Sequence, residues 1–108
     1  MTSSKKQYDE CILIKKTLKN LYKLINETKS MISKNTDEIN RAEQKILENS
    51  NPRIKLSWQK IATKYTKIRY KNSKLFRKMV RDKECLLRDL RKTEEKLKKI
   101  RAKEVGNH

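Results

Sequence analysis

The sequence predicts an all-α fold: a long antiparallel helical hairpin (coiled coil), two helices joined by a short turn near residues 49–53. Three observations carry that reading. Apolar residues recur every seven positions through most of the first half, and an Asn-Pro pair interrupts the pattern once near the middle. The 108 residues hold one Gly and one Pro, with charged residues at 40% and apolar ones at 34%. That balance is too polar for an independent globular core and too regular for simple disorder. The expectation is one helical-hairpin domain over 1–108, with helix 1 at about 5–49, helix 2 at about 52–104 and a frayed tail at 105–108.

Helix 1 follows from its seam. Cys11, Leu18, Ile25, Ile32, Ile39 and Ile46 stand seven apart, with Ile14, Leu21, Thr28, Asn35 and Ala42 between them. Five repeats of a 3–4 pattern are a coiled-coil signal. A seam Asn costs stability but can fix register. Asn35-Thr36-Asp37-Glu38 also has the form of a helix start, with Glu38 reaching back to cap Asn35. The unbroken heptad phase favours one helix, bent or straight at this point.

The turn comes next, at Asn49-Ser50-Asn51-Pro52-Arg53. Asn51 suits an N-cap, and Pro52 suits the first helical position, where a missing N–H has no partner to lose. So short a connection makes the helices antiparallel neighbours.

Helix 2 carries Ile54, Trp58, Ile61, Tyr65, Ile68, Asn72, Leu75 and Met79, then a second phase through Lys83, Leu86, Leu90, Thr93, Leu97 and Ile100. The two four-residue steps around Met79 predict a stutter there. Leu24, Met31, Leu56, Ala62, Phe76, Val80 and Leu87 lie off the seam. A two-helix hairpin has only one internal surface, so this wider stripe calls for a helical protein partner or a second copy. The expected partner interface is Ile14, Leu18, Leu21, Ile25, Ile32, Ile39, Ile61, Ile68, Leu75 and Met79.

Charge is the clue to function. The net charge is +17, of which residues 1–51 hold ten basic and seven acidic groups and residues 52–108 hold twenty and six. Between Arg53 and Arg81 stand eleven Lys or Arg residues and no acid. Seven of them, Lys60, Lys64, Lys67, Lys71, Lys74, Lys78 and Arg81, recur at alternating steps of 4 and 3, which places them on one side of a helix. Such a ridge neutralises phosphates and releases counterions, giving affinity without sequence choice. The expected nucleic-acid contacts are those seven, with Arg69 and Arg77 in reserve. The competing reading is a solvated face partly neutralised by helix 1, with Glu38 near Lys64, Glu43 near Lys60 and Glu27 near Lys74. Among the interleaved aromatics, Trp58, Tyr65 and Phe76 read as core, and Tyr70 stands away from the seam.

Other chemistry finds no footing. The chain has no Gly-rich phosphate loop, no triad, no metal-ligand spacing and a single histidine, His108, so no enzyme activity, cofactor or metal is expected. Cys11 reads as a small seam hydrophobe opposite about residue 91, and Cys85 as exposed and out of bonding reach. No apolar run is long enough to span a bilayer and no secretory signal is present, so no membrane partner is expected. A basic amphipathic helix lying on anionic lipid is a third possibility, less suited to these wide apolar faces.

Two short resemblances arise. Trp58-Gln59-Lys60-Ile61-Ala62 resembles the start of a Myb-type repeat, but no turn residue or further Trp follows at repeat spacing. Arg69-Tyr70-Lys71-Asn72, leading to Leu86 and Leu90, is similar to a basic-region leucine zipper, but Leu75, Phe76 and Val80 stand where that family has small residues and Arg. Neither assigns a family. The expected function is a non-enzymatic, basic coiled-coil subunit of a nuclear assembly, chromatin or ribonucleoprotein, that grips nucleic-acid backbone. The alternative is a coiled-coil adaptor of a kinetochore, spindle or transcription complex, whose lysines meet acidic protein. Both place the chain inside the cell.

Overall fold

The computed structural model describes residues 3–106, and the architecture is an antiparallel helical hairpin. Helix α1 runs Ser3–Glu48 and helix α2 runs Pro52–Gly106. Both are longer than the sequence pattern implied. Residues 105 and 106 are helical rather than frayed, while 107 and 108, including His108, lie outside the described residues.

The turn is capped as its residues predict. Asn51 Oδ1 accepts a hydrogen bond from the Arg53 N–H at 2.9 Å, and the Asn51 carbonyl accepts from Lys55 N–H at 3.0 Å. Asn51 is therefore the N-cap of α2, with Pro52 at the first helical position. At the end of α1, Asn49 Nδ2 donates to the Lys45 carbonyl at 2.7 Å, satisfying one of the orphan acceptors that every helix terminus leaves.

Contacts group the chain into two compact units. One is residues Ile25–Lys78, which includes the turn. Its buried residues are Ile25, Thr28, Asn35, Ile39 and Ala42. Asn35 does not interrupt α1. Its Oδ1 accepts a hydrogen bond from Asn72 Nδ2 at 2.9 Å, so the buried amide finds its partner across the hairpin rather than in a cap. Beside it, Arg69 Nη1 reaches Thr36 Oγ1 at 3.5 Å, while Thr36 donates back to the Ile32 carbonyl.

The Asn pair also sets the register. Thirteen residues toward the turn from it lie Glu48 on α1 and about residue 59 on α2, so the first two turns of α2 extend past the end of α1. Ile54 and Leu56, within that overhang, are exposed. Seven residues toward the turn from the same pair, the fully buried Ala42 is level with Tyr65, a small residue opposite a large ring.

The second unit comprises residues up to Leu24 together with those from Met79 onward. Cys11, Leu18, Met79, Thr93 and Leu97 are buried in it. Lys15 Nζ pairs with Glu94 at 3.7 Å, and Lys83 Nζ lies 5.7 Å from the centre of the Tyr22 ring. Thr93 sits in the seam without an unmet hydroxyl because its Oγ1 donates to the Asp89 carbonyl at 2.8 Å.

The pattern on α2 needs one correction. Leu75 is 48% exposed, whereas Phe76 is half-buried. The covered positions run Ile68, Asn72, Phe76, Met79, Lys83 and Leu86, so the extra four-residue step falls at Asn72 and not at Met79. The physical reason is the Asn35–Asn72 bond, which holds position 72 in the seam and lets the bulkier Phe76 follow one turn later. Off the seam, Ala62, Val80 and Leu87 are half-buried, while Leu24, Met31 and Leu56 are exposed.

Candidate nucleic-acid interface

The geometry of the basic ridge rests on α2 being one uninterrupted helix through residues 53–81, and it is. No proline or glycine stands between Pro52 and Gly106, and Ser57, Thr63 and Thr66 each return their hydroxyl to the carbonyl four residues back, at 3.1, 2.9 and 2.7 Å. At ~100° per residue the ridge positions fall within about 100° of arc, on the flank away from the seam.

Lys60, Lys64, Lys67, Lys71, Lys74 and Lys78 all lie in the unit Ile25–Lys78 and all are exposed. Arg77 and Arg81 are exposed as well. Arg69 is different. It is half-buried, with its guanidinium turned toward Thr36, so it belongs to the helix–helix contact and not to the exposed cationic flank. Its position, far round the helix from the lysines, already separated it from the ridge period.

Among the described residues no ion pair joins an acid of α1 to a ridge lysine. Among the described residues, the ion pairs are Lys15–Glu94, Arg41–Glu38 and Lys45–Glu48. The pairings expected for Lys60, Lys64 and Lys74 are absent from that set. Glu38 instead lies 3.9 Å from Arg41, one turn along its own helix. With Asn35 opposite Asn72, Glu38 is level with residue 69 and Glu43 with Lys64, and neither makes an ion pair with a ridge lysine. Two ridge lysines rest near aromatic rings, Lys64 Nζ at 5.7 Å from the centre of Tyr65 and Lys74 Nζ at 5.8 Å from that of Tyr70. At exposed sites such contacts are worth only about 0.5–1 kcal/mol, so they leave the cations available.

Trp58, Tyr65 and Phe76 are half-buried and serve the helix contact, whereas Tyr70 is 61% exposed at the edge of the ridge. Leu56, Gln59, Lys60, Thr63, Lys64, Lys67 and Ile68 line a shallow open depression on α2. This feature was not singled out from sequence. Of its lining, Leu56 and Thr63 stand seven apart in the sequence, beside the line of lysines.

The expected interface positions divide as the burial does. Leu18, Ile25, Ile39 and Met79 are buried, Ile14, Leu21, Ile32, Ile61 and Ile68 half-buried, and Leu75 exposed. The first nine close the hairpin on itself, and Leu75 stays exposed. Both cysteines are free, Cys11 buried and Cys85 exposed. Cys11 shares a cleft with Leu97, not with residue 91, which sets it still farther along the axis from Cys85. Among the described residues no cluster of His, Cys, Asp or Glu could hold a metal ion, and no helix is long and apolar enough to cross a membrane. Comparison of the chain with protein-family models, curated protein sequences and solved structures finds no match.

Proposed function

We propose that this chain is a non-enzymatic, basic coiled-coil subunit of a nuclear assembly, chromatin or ribonucleoprotein, and that it holds nucleic-acid backbone through α2. The observation that carries the reading is an unopposed line of charge. From Arg53 to Arg81 the helix has eleven cations and no acid, and the ridge lysines are exposed and outside the ion pairs of the described residues. Like charges so close repel along the helix, and a polyanion relieves that repulsion while releasing its own counterions.

The test is equilibrium binding of the full chain to unrelated duplex and single-stranded oligonucleotides at near-physiological salt. Wild type is expected to bind more tightly than ~10⁻⁴ M, the weak end of non-specific affinity, and Lys67→Glu/Lys71→Glu/Lys74→Glu to lose that binding. Wild-type binding weaker than that limit sinks the proposal.

A second reading has its own observation. Met31 and Leu75, both in the unit Ile25–Lys78, are exposed large apolar residues, which favours a helical protein partner there. In the adaptor version that partner is acidic and also takes the lysines, with no nucleic acid involved. A chain that is well folded and monomeric at micromolar concentration, with no partner retained in a pull-down, argues against it.

A further inference from the structure

We infer that the ridge takes a single nucleic-acid strand in preference to a duplex, with phosphates along Lys60 to Lys78 and partly unstacked bases on the neighbouring line of Leu56, Thr63 and Tyr70. This rests on the nucleic-acid reading above and narrows its ligand. Spacing is the first argument. Six lysines over residues 60–78 stand on average ~5.4 Å apart along the axis, given ~1.5 Å rise per residue. A stacked strand rises ~3.4 Å per phosphate. A stacked strand winds about its axis, so a straight row of lysines meets one phosphate each only where the strand unwinds, and its bases then separate in part. A single strand does this readily, whereas a paired duplex must break its own stacking.

Straightness is the second argument. The six lysines span ~27 Å of unbroken helix. A duplex strand winds once around its axis in ~34 Å, so over that length it travels most of the way round and a straight edge faces only about three of its phosphates.

The third argument is what stands beside the cations. Leu56, Thr63 and Tyr70 are seven apart, so they form a line parallel to the lysines. Leu56 is 53% exposed and Tyr70 61%. The Thr63 hydroxyl is tied to the Gln59 carbonyl at 2.9 Å, which leaves its methyl group to the surface. Leu56 and Thr63 also border the shallow depression between Lys60 and Lys67. Lys74 Nζ, 5.8 Å from the Tyr70 ring centre, sets a cation beside the exposed aromatic of this line. Bases stack on such rings whatever their identity, so the site is tolerant of sequence.

The experiment is fluorescence anisotropy on the full chain, with a short oligo-dT strand and a short mixed-sequence duplex as probes and poly-glutamate as competitor. The strand is expected to bind at least about tenfold more tightly than the duplex, and Tyr70→Ala to weaken the strand about tenfold while changing the duplex less than twofold. Leu56→Ser, at an exposed position, is a second variant expected to weaken the strand alone; circular dichroism checks that both remain helical. A duplex bound as tightly as the strand overturns the inference but leaves the broader reading in place. So does a strand that ignores both variants, or that poly-glutamate displaces as well as unlabelled oligo-dT does. If neither oligonucleotide binds, both fall together.

Discussion

The Asn72 side-chain amide donates a 2.9 Å hydrogen bond to Asn35 Oδ1 across the hairpin, and that one bond fixes which residues of the two helices are level. Both positions were visible as polar interruptions of an apolar seam. Their pairing was not, because a sequence does not measure how far the turn carries α2 past the end of α1.

Breaking the pair from one side is expected to cost more than removing it. Asn35→Leu or Asn72→Leu alone strands the other amide without its partner, and urea unfolding should show a loss of about 1–3 kcal/mol. The double change Asn35→Leu/Asn72→Leu should recover wild-type stability or exceed it, since an apolar layer replaces a desolvated polar one. Its cost should appear as mixed oligomeric states in size-exclusion chromatography with light scattering, because the register is no longer specified. Equal, additive losses from the two single changes would mean the bond contributes nothing.

The seam residues should separate from the exposed ones by stability alone. Leu18→Ala and Ile39→Ala remove buried side chains and should each cost about 2–5 kcal/mol in denaturant unfolding. Leu13→Ala, at a residue 64% exposed, should stay within about 0.5 kcal/mol of wild type. A large loss at Leu13 would reveal a second copy packed there.

Thiol labelling gives a further check on the architecture. Cys85 is exposed and should react quickly with a maleimide, while Cys11, buried in the seam, should react only as the hairpin opens. One fast equivalent and one slow one, converging in denaturant, is the expected trace. Two fast equivalents would place Cys11 outside the core.

Removing the cap of α2 tests the turn. Asn51→Ala deletes the acceptor for the Arg53 N–H and should destabilise the chain by about 1 kcal/mol, while Asn51→Asp should retain most of it. Thermal unfolding by circular dichroism reads both.

What the sequence made legible is what periodicity governs. The seven-residue spacing from Cys11 to Ile46 specifies α1 and its buried stripe, and Asn51-Pro52 specifies the turn. The lysine ridge is legible for the same reason, since a straight helix converts a 4–3 spacing into a line. Failures came where the answer depends on register between helices. The helices are offset along the axis from the register the turn suggested, so the acids assigned to Lys60, Lys64 and Lys74 are not level with them, and Leu75 yields to Phe76 because Asn72 is held inside. Arg69 is a neighbour of the ridge along the chain but not around the helix, and its direction takes it to Thr36.

The salt dependence of binding, measured lysine by lysine, tests the central claim most directly. For a single strand, log K falls against log salt by about 0.7 for each phosphate neutralised. Changing Lys64→Gln/Lys71→Gln on the ridge should therefore make the slope shallower by about 1.4, while Lys16→Gln/Lys23→Gln on the exposed face of α1 should leave it unchanged. Equal changes from both pairs would mean the cations act only through overall charge, and the ridge would have no role of its own.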